Sequence, residues 1–234
     1  MGGFPGLKQT LIAFYLISLA LLPWSKFPPF PWLHENAQWS DAVFAIAACL
    51  WLLESWHSRQ WPRLRPLHIA MGLYLLAATL SLLLAAPDRR VGTMKLLGMA
   101  ELSMIAIVTS DLSRRPAVLR KISYVGAATS LLAAGAAIAG VVLFYFGVWT
   151  PLIGTYGDHL IPSSRYARAQ AAFSHPNLLA RFCIFAAGIS LGEKAGLPKK
   201  LRGLVQVSLW TTVILTLSHS LLGFILAASI RRAR

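Results

Sequence analysis

The stretch LHIAMGLYLLAATLSLLLAA, residues 67–86, decides the fold class of this chain. It contains no Asp, Glu, Lys or Arg, and its length matches the roughly 20 apolar residues that a helix needs to cross a bilayer. An uninterrupted apolar run of this length predicts a membrane-spanning helix. Similar runs recur on both sides of it, so the sequence predicts a polytopic membrane protein.

The composition of the whole chain agrees with this prediction. Of 234 residues, 56% are hydrophobic and 13% are charged, whereas a soluble domain carries about 25% charged residues. The formal net charge of +14 would suggest a nucleic-acid partner in a soluble protein. Here the basic residues lie mostly in short loops beside apolar runs, where membrane proteins concentrate them. We therefore expect membrane lipids, and no nucleic acid, as partners.

The apolar runs predict an all-α fold, a polytopic membrane helix bundle of about seven helices, or eight if the last run is broken. They cover residues 7–22, 41–56, 67–86, 91–109, 122–149, 177–192 and 204–230. The last run either crosses once as a tilted helix or breaks near Ser218 and returns. We expect a single membrane domain over residues 1–234.

The basic residues also predict the orientation. With the N-terminus in the cytoplasm, the inner segments before the C-terminal tail hold twelve Lys and Arg residues and the outer loops hold five. Because Lys and Arg accumulate on the cytoplasmic side of membrane proteins, we expect a multi-pass protein with a cytoplasmic N-terminus. The longest connection, residues 150–175, then lies outside.

A polar and basic stretch, RYARAQAAFSHPNLLAR at residues 165–181, stands out in this apolar chain. Arg165 and Arg168 precede Pro176, which suits the first turn of a helix because its missing N–H is not needed there. A helix N-terminus attracts phosphate through its free N–H groups and its dipole, and arginine adds bidentate donation. We expect an anion site here; binding of lipid phosphates by the two arginines at the surface is the simpler alternative.

Two further basic residues lie at a similar predicted depth, Arg181 on the sixth run and Lys95 on the fourth. Charged residues within membrane helices are costly and usually face a polar interior. Both are therefore candidate substrate-binding residues, in a cluster of cations that would suit a pyrophosphate or an acidic glycan. As alternatives, Lys95 snorkels to the interface, and Arg181 pairs with Glu101.

Two histidines are candidates for the same site. His175 is a candidate general base because imidazole titrates near neutrality; its alternative role is to cap the following helix. His219 lies in a polar break of the last run, where hydrogen bonding between helices is the alternative. Cys49 and Cys183 lie inside apolar runs and are expected to be small buried hydrophobic residues. The sequence contains no metal-binding or nucleotide-binding pattern, so we expect neither metal nor cofactor.

Two short elements resemble a known family. RAQAAFSHPNL, residues 168–178, is similar to the signature of the bacterial O-antigen ligase and polymerase superfamily, in which an arginine stands nine residues before the asparagine of a Phe-x-(His/Asn)-Pro-Asn element. LTLSHS, residues 215–220, resembles the Thr-x-Ser-Arg element of that family. The resemblance implies a metal-independent, inverting glycosyltransferase of the bacterial inner membrane, with its site facing the periplasm. Such enzymes transfer a glycan from undecaprenyl pyrophosphate to lipid A-core, a growing polymer or a protein.

The resemblance also implies roles for individual residues. Arg168 corresponds to the arginine that holds the pyrophosphate of the donor. The candidate catalytic residues are then Arg168 and His175, and the candidate substrate-binding residues are Arg165, Arg168, Asn177, Arg181, Lys95 and His219.

Three features depart from the family pattern. Ala171 replaces a common glycine, and His219 replaces an arginine that is always charged. The chain ends at Arg234, where family members continue through a large periplasmic segment with an acceptor-activating histidine. We therefore expect the N-terminal half of such an enzyme. The alternatives are a non-enzymatic membrane transporter, similar to bicarbonate-transporter-like relatives, and an inactive subunit that binds the carrier lipid.

Overall fold

The computed structural model describes residues 5–24, 38–59, 61, 65–85, 88–148, 150–155, 167–173, 176–190 and 196–216. Within these ranges the chain forms seven helices, and each overlaps one of the predicted apolar runs in order, which confirms the predicted helical fold. The helices are α1 (Pro5–Leu21), α2 (Trp39–Ser58), α3 (Pro66–Ala85), α4 (Arg89–Leu112), α5 (Pro116–Tyr145), α6 (Pro176–Ser190) and α7 (Lys199–Leu215).

A short two-stranded sheet, which the all-α prediction does not include, lies between α5 and α6 in the chain. Strand β1 (Ile153–Thr155) pairs antiparallel with β2 (Ala167–Ala169), with Gly154 opposite Arg168. In the part of the chain that the structure describes, the regular elements are helices apart from this sheet, and the sheet carries the principal site candidate.

Among the described residues, three helices are long and apolar enough to cross a membrane: α3 over Pro66–Leu84, α4 and α5. Helices α1 and α6 are apolar but shorter. The 15 residues of α6 extend about 22 Å at 1.5 Å per residue, less than the roughly 30 Å of a hydrocarbon core. Three apolar helices indicate a membrane protein, and the bundle of seven or eight spans stays a prediction.

The exposure of α3 suits a lipid environment. His68 is its only buried side chain among those that the structure describes, whereas Leu73 and Leu84 are 62% and 84% exposed. A helix that is apolar on all sides is expected in the core of a large protein or in a membrane. Because α3 leaves its apolar side chains exposed, hydrocarbon is the solvent that suits it.

The chain divides into two compact units: Met1–Tyr15 with Val43–Val118, and Leu16–Ala42 with Leu119–Arg234. The prediction of one domain stays a prediction. In the first unit α3 packs against α4. Lys8, at the start of α1, forms an ion pair of 3.1 Å with Glu54, near the end of α2. Trp51 Nε1 donates a 3.1 Å hydrogen bond to the carboxylate of Asp111, near the end of α4. The start of α1 and the ends of α2 and α4 therefore share one end of this unit.

The core of the second unit fixes the position of β2. Helix α6 packs against α7, and both contact β2. Buried residues from these elements include Ala169, Leu179, Leu209 and Val213, and the ring of Phe173 lies 5.3 Å from that of Phe182. Cys183 belongs to this core, as predicted, whereas Cys49 on α2 is exposed. The packing holds β2 beside the start of α6 and the end of α7.

Helix α7 differs from the predicted last run at both ends. It begins at Lys199, before the apolar run, and it ends at Leu215 with Thr216 as its C-cap. The choice between one continuous helix over residues 204–230 and a broken run therefore stays a prediction, because the described residues end at Thr216. The predicted break near Ser218 lies outside the described residues.

Candidate functional site

Arg168 joins the ends of two helices. Its side chain is buried, with the residue 8% exposed. Its Nε donates a 2.9 Å hydrogen bond to the backbone carbonyl of Thr216, the C-cap of α7. Its Nη2 donates a 3.0 Å hydrogen bond to Oδ1 of Asn177, in the first turn of α6. Two residues of the predicted site, Arg168 and Asn177, are thus in direct contact.

Hydrogen bonds order the turn that follows Arg168 and β2 in the chain. The backbone N–H groups of Gln170 and Ala171 both donate to the carbonyl of Leu152, at 3.0 and 2.8 Å. The buried side chain of Gln170 donates a 2.7 Å hydrogen bond to the carbonyl of Phe173. These bonds tie the turn to the segment before β1 and to the chain that leads into α6.

Ala171 occupies a backbone conformation that favours glycine. Its φ angle is +50°, in the left-handed region that costs an L-residue roughly 1–2 kcal/mol and costs glycine little. The same position departs from the family pattern, in which glycine is common. The conformation gives a physical reason for glycine in the resembled motif.

The two helix ends at Arg168 differ in electrostatic character. The C-terminal end of a helix is partially negative, so a guanidinium there is stabilising, typically by about 0.3–1 kcal/mol. The N-terminal end of α6 is partially positive, and the first N–H groups of a helix have no acceptor within it. The Thr216 carbonyl and the Asn177 amide are both uncharged acceptors. Arg168 therefore places a guanidinium group beside the partially positive end of α6, an arrangement that attracts anions.

Of the other predicted site residues, two lie on described helices and three lie outside the described residues. Arg181 is exposed on α6, one helical turn beyond Asn177. Lys95 is exposed on α4 and, like Glu101, belongs to the first unit. The convergence of Lys95 on Arg168 and the pairing of Arg181 with Glu101 therefore stay predictions. Arg165, His175 and His219 lie outside the described residues.

Two contributors to the site do not follow from the sequence. Thr216 takes part through its backbone carbonyl, which no residue type signals; its place in the second resembled element is the only hint. Gln170 is a buried polar side chain that orders the turn. A lone amide among the apolar residues 169–173 is the signal that could have identified it.

The fold and the site together define a helical membrane protein with a buried cationic side chain where two helix ends meet. No protein-family model, no curated protein and no solved structure matches the chain.

Proposed function

We propose that this chain is an O-antigen ligase-like membrane glycosyltransferase that transfers a glycan from undecaprenyl pyrophosphate to lipid A-core or another glycan acceptor. One observation carries the proposal. The two elements that resemble the family, residues 168–178 and 215–220, are joined by the hydrogen bond of Arg168 to Thr216, across 48 positions of the chain. A shared site for both elements requires such proximity, whereas a chance similarity of short motifs does not.

The reaction needs positive charge at the leaving group. A hydroxyl oxygen of the acceptor attacks the anomeric carbon of the donor glycan, and the bond from that carbon to the pyrophosphate oxygen breaks. The undecaprenyl pyrophosphate leaves with the electron pair of that bond, and the hydroxyl proton passes to a base. Arg168 and the start of α6 stabilise the charge that develops on the pyrophosphate. His175, outside the described residues, is the proposed base.

The proposed setting is the bacterial inner membrane, with seven or eight spans, a cytoplasmic N-terminus and a site that faces the periplasm. The end of the first unit that holds the start of α1 and the ends of α2 and α4 carries Lys8, Arg59 and Arg114. A basic end of this kind is expected on the cytoplasmic side, which supports the orientation.

Asn177→Asp tests the role of Arg168 without removing its structural bond. Aspartate keeps an acceptor for the guanidinium, and a charged acceptor strengthens that hydrogen bond, so the variant should fold like the wild type. Its carboxylate opposes the positive potential that a pyrophosphate needs. We expect the affinity for undecaprenyl pyrophosphate to fall about 10- to 100-fold, the value of one charge-assisted hydrogen bond, together with a loss of glycan transfer.

Binding of undecaprenyl pyrophosphate to the full chain is measured in detergent. Undecaprenol, which lacks the pyrophosphate, is the comparison ligand. Thermal unfolding shows that each variant is folded. Arg65→Gln, which removes an exposed arginine of the first unit, is the control for loss of charge elsewhere and should bind normally. Unchanged affinity of folded Asn177→Asp, or equal wild-type affinity for undecaprenol, contradicts the proposed donor site. Solute flux in vesicles without lipid-linked sugar would instead identify a transporter.

A further inference from the structure

A cavity of about 150 Å³ lies in the second unit, at the other end of α6 and α7 from Arg168. Its walls come from four helices, with Leu19 of α1, Gly126 of α5, Phe185 and Ile189 of α6, and Val205 of α7 among the lining residues. Phe185 and Ile189 are themselves 72% and 51% exposed. The cavity therefore opens through this face of α6, and its walls are almost wholly apolar.

Cationic side chains flank the cavity. Arg202 Nη2 donates a 3.4 Å hydrogen bond to the carbonyl of Leu197, which lines the cavity, and Arg202 Nε is buried without a hydrogen-bond partner. Arg120 Cγ lies 3.9 Å from the point that a Cβ on Gly196 would occupy, next to Leu197 in the chain. Three further cations are exposed near the starts of the helices that carry these arginines: Lys121 on α5, and Lys199 and Lys200 on α7. Arg202 thus contacts a residue that lines the apolar cavity, and Arg120 lies beside the residue that precedes it in the chain.

Acidic side chains do not offset this charge in the part of the second unit that the structure describes. Asp41 is the one acid there, at the start of α2, and it accepts a 2.9 Å hydrogen bond from the backbone N–H of Gln38. Neither ion pair found among the described residues involves the cations beside the cavity. The described side chains at this end of the unit therefore carry a net positive charge, which is complementary to an anion.

We propose that this end of the second unit binds an anionic phospholipid, with part of an acyl chain in the cavity and the phosphate against Arg120 and Arg202. Apolar cavities of about 150 Å³ bind benzene-sized groups, so this one has room for a segment of an acyl chain. Guanidinium groups bind phosphate in bidentate fashion, and basic clusters at the membrane surface attract anionic lipids. The opening on an exposed apolar helix face admits a ligand from the bilayer. The lipid lies away from Arg168, so this inference is independent of the proposed function.

Native mass spectrometry of the full-length protein in nonionic detergent tests the proposal. The protein is mixed with dioleoyl phosphatidylglycerol or with dioleoyl phosphatidylcholine, and the retained lipid is measured. We expect phosphatidylglycerol to be retained about tenfold more strongly, the effect of one charge-assisted hydrogen bond. The double variant Arg120→Gln with Arg202→Gln should lose this preference, and Arg65→Gln should keep it.

Gly126→Leu tests the apolar part of the site. Gly126 lines the cavity, and a Cβ on it meets nothing within 4 Å. We therefore expect the leucine side chain to extend into the cavity and to reduce retention of both lipids. Gly135 lies on the same helix, is exposed and also has open space at its Cβ position. Gly135→Leu is therefore the matched control and should retain lipid normally.

Three results would overturn the proposal. They are equal retention of the two lipids by the wild type, equal effects of Gly126→Leu and Gly135→Leu, and displacement of bound phosphatidylglycerol by inorganic phosphate alone. The last result would show a simple anion site that does not use the cavity.

Discussion

Arg168 has a structural role and a proposed chemical role, and one position of its side chain serves both. Its guanidinium holds the C-terminal end of α7 through the Thr216 carbonyl and contacts the first turn of α6 through Asn177. Removing a donor from a buried acceptor costs about 1–3 kcal/mol per group. Loss of activity in Arg168→Ala would therefore not separate the two roles. Asn177→Asp separates them because it retains the bond and changes only the charge.

The left-handed conformation of Ala171 predicts how glycine and valine at this position change the free energy of unfolding. Ala171→Gly relieves roughly 1–2 kcal/mol of left-handed strain and loses a buried methyl group and chain entropy of similar combined value. The free energy of unfolding should therefore change by less than about 1 kcal/mol. Ala171→Val places a β-branched side chain in the same conformation and in a filled core, and should destabilise by at least about 2 kcal/mol. Chemical unfolding in detergent measures both changes.

Ala180 is the matched control for Ala171. It is fully buried, and it lies within α6, where the backbone is helical. Ala180→Gly gains nothing from relief of strain and should cost about 1–2 kcal/mol through lost helix propensity and a lost methyl contact. A cost for Ala171→Gly as large as that for Ala180→Gly would contradict the left-handed conformation at Ala171.

At the scale of elements, the helices are predictable from the sequence and their ends are less so. A helix that crosses a membrane needs a long apolar run, and that signal is strong. A polar first turn gives no such signal. Helix α4 begins at Arg89 because the carboxylate of Asp88 accepts hydrogen bonds from the N–H groups of Arg90 and Val91 at 2.9 and 3.1 Å. The apolar run starts only at Val91.

The sheet and part of the site lack a sequence signal. Strands β1 and β2 have three residues each, too few for an alternating pattern to be recognised. Arg168 and Asn177 are predictable because both belong to one local motif. The contact of Arg168 with Thr216 depends on how α7 packs against α6 and β2, which local sequence does not determine.

Gly140 connects the packing of α5 to the site. A Cβ on Gly140 would lie 2.7 Å from Cβ of Leu152 and 3.3 Å from its carbonyl oxygen. That carbonyl accepts hydrogen bonds from Gln170 and Ala171, so Leu152 cannot shift without disturbing the turn after β2. Gly140→Ala should therefore lower the free energy of unfolding by about 1–3 kcal/mol. It should also weaken carrier binding if Arg168 holds the donor.

Gly135→Ala is the control on the same helix, and we expect it to raise the free energy of unfolding rather than lower it. A Cβ on Gly135 meets nothing within 4 Å, so the substitution gains helix propensity, about 0.5–1 kcal/mol, without a clash. Chemical unfolding of both variants gives the comparison. Stabilisation by both substitutions would show that α5 does not pack closely against Leu152.

At the scale of the whole molecule, charge and helix direction point to one orientation. Within the first unit, the start of α1 and the ends of α2 and α4 share one end, so α2 and α4 both run antiparallel to α1. An alternating path of this kind follows when successive apolar runs cross a bilayer in turn. Before the C-terminal tail, twelve basic residues are predicted to lie inside and five outside, which predicts that this shared end faces the cytoplasm.

Cysteine labelling tests this orientation. With Cys49 and Cys183 replaced by alanine, single cysteines are introduced as Arg65→Cys, just before α3, and Arg89→Cys, at the start of α4; both positions are exposed. A membrane-impermeant maleimide added to intact cells should label the cysteine at 89 and not the one at 65. Of the two connections tested, the one between α3 and α4 is predicted to face outward and the one between α2 and α3 to face the cytoplasm. Permeabilised cells should show labelling at both positions, which confirms that each thiol is reactive. The reverse pattern in intact cells would place the basic loops outside. The connection between α5 and α6, which carries Arg168, would then face the cytoplasm, and a periplasmic glycan transfer at this site would be excluded.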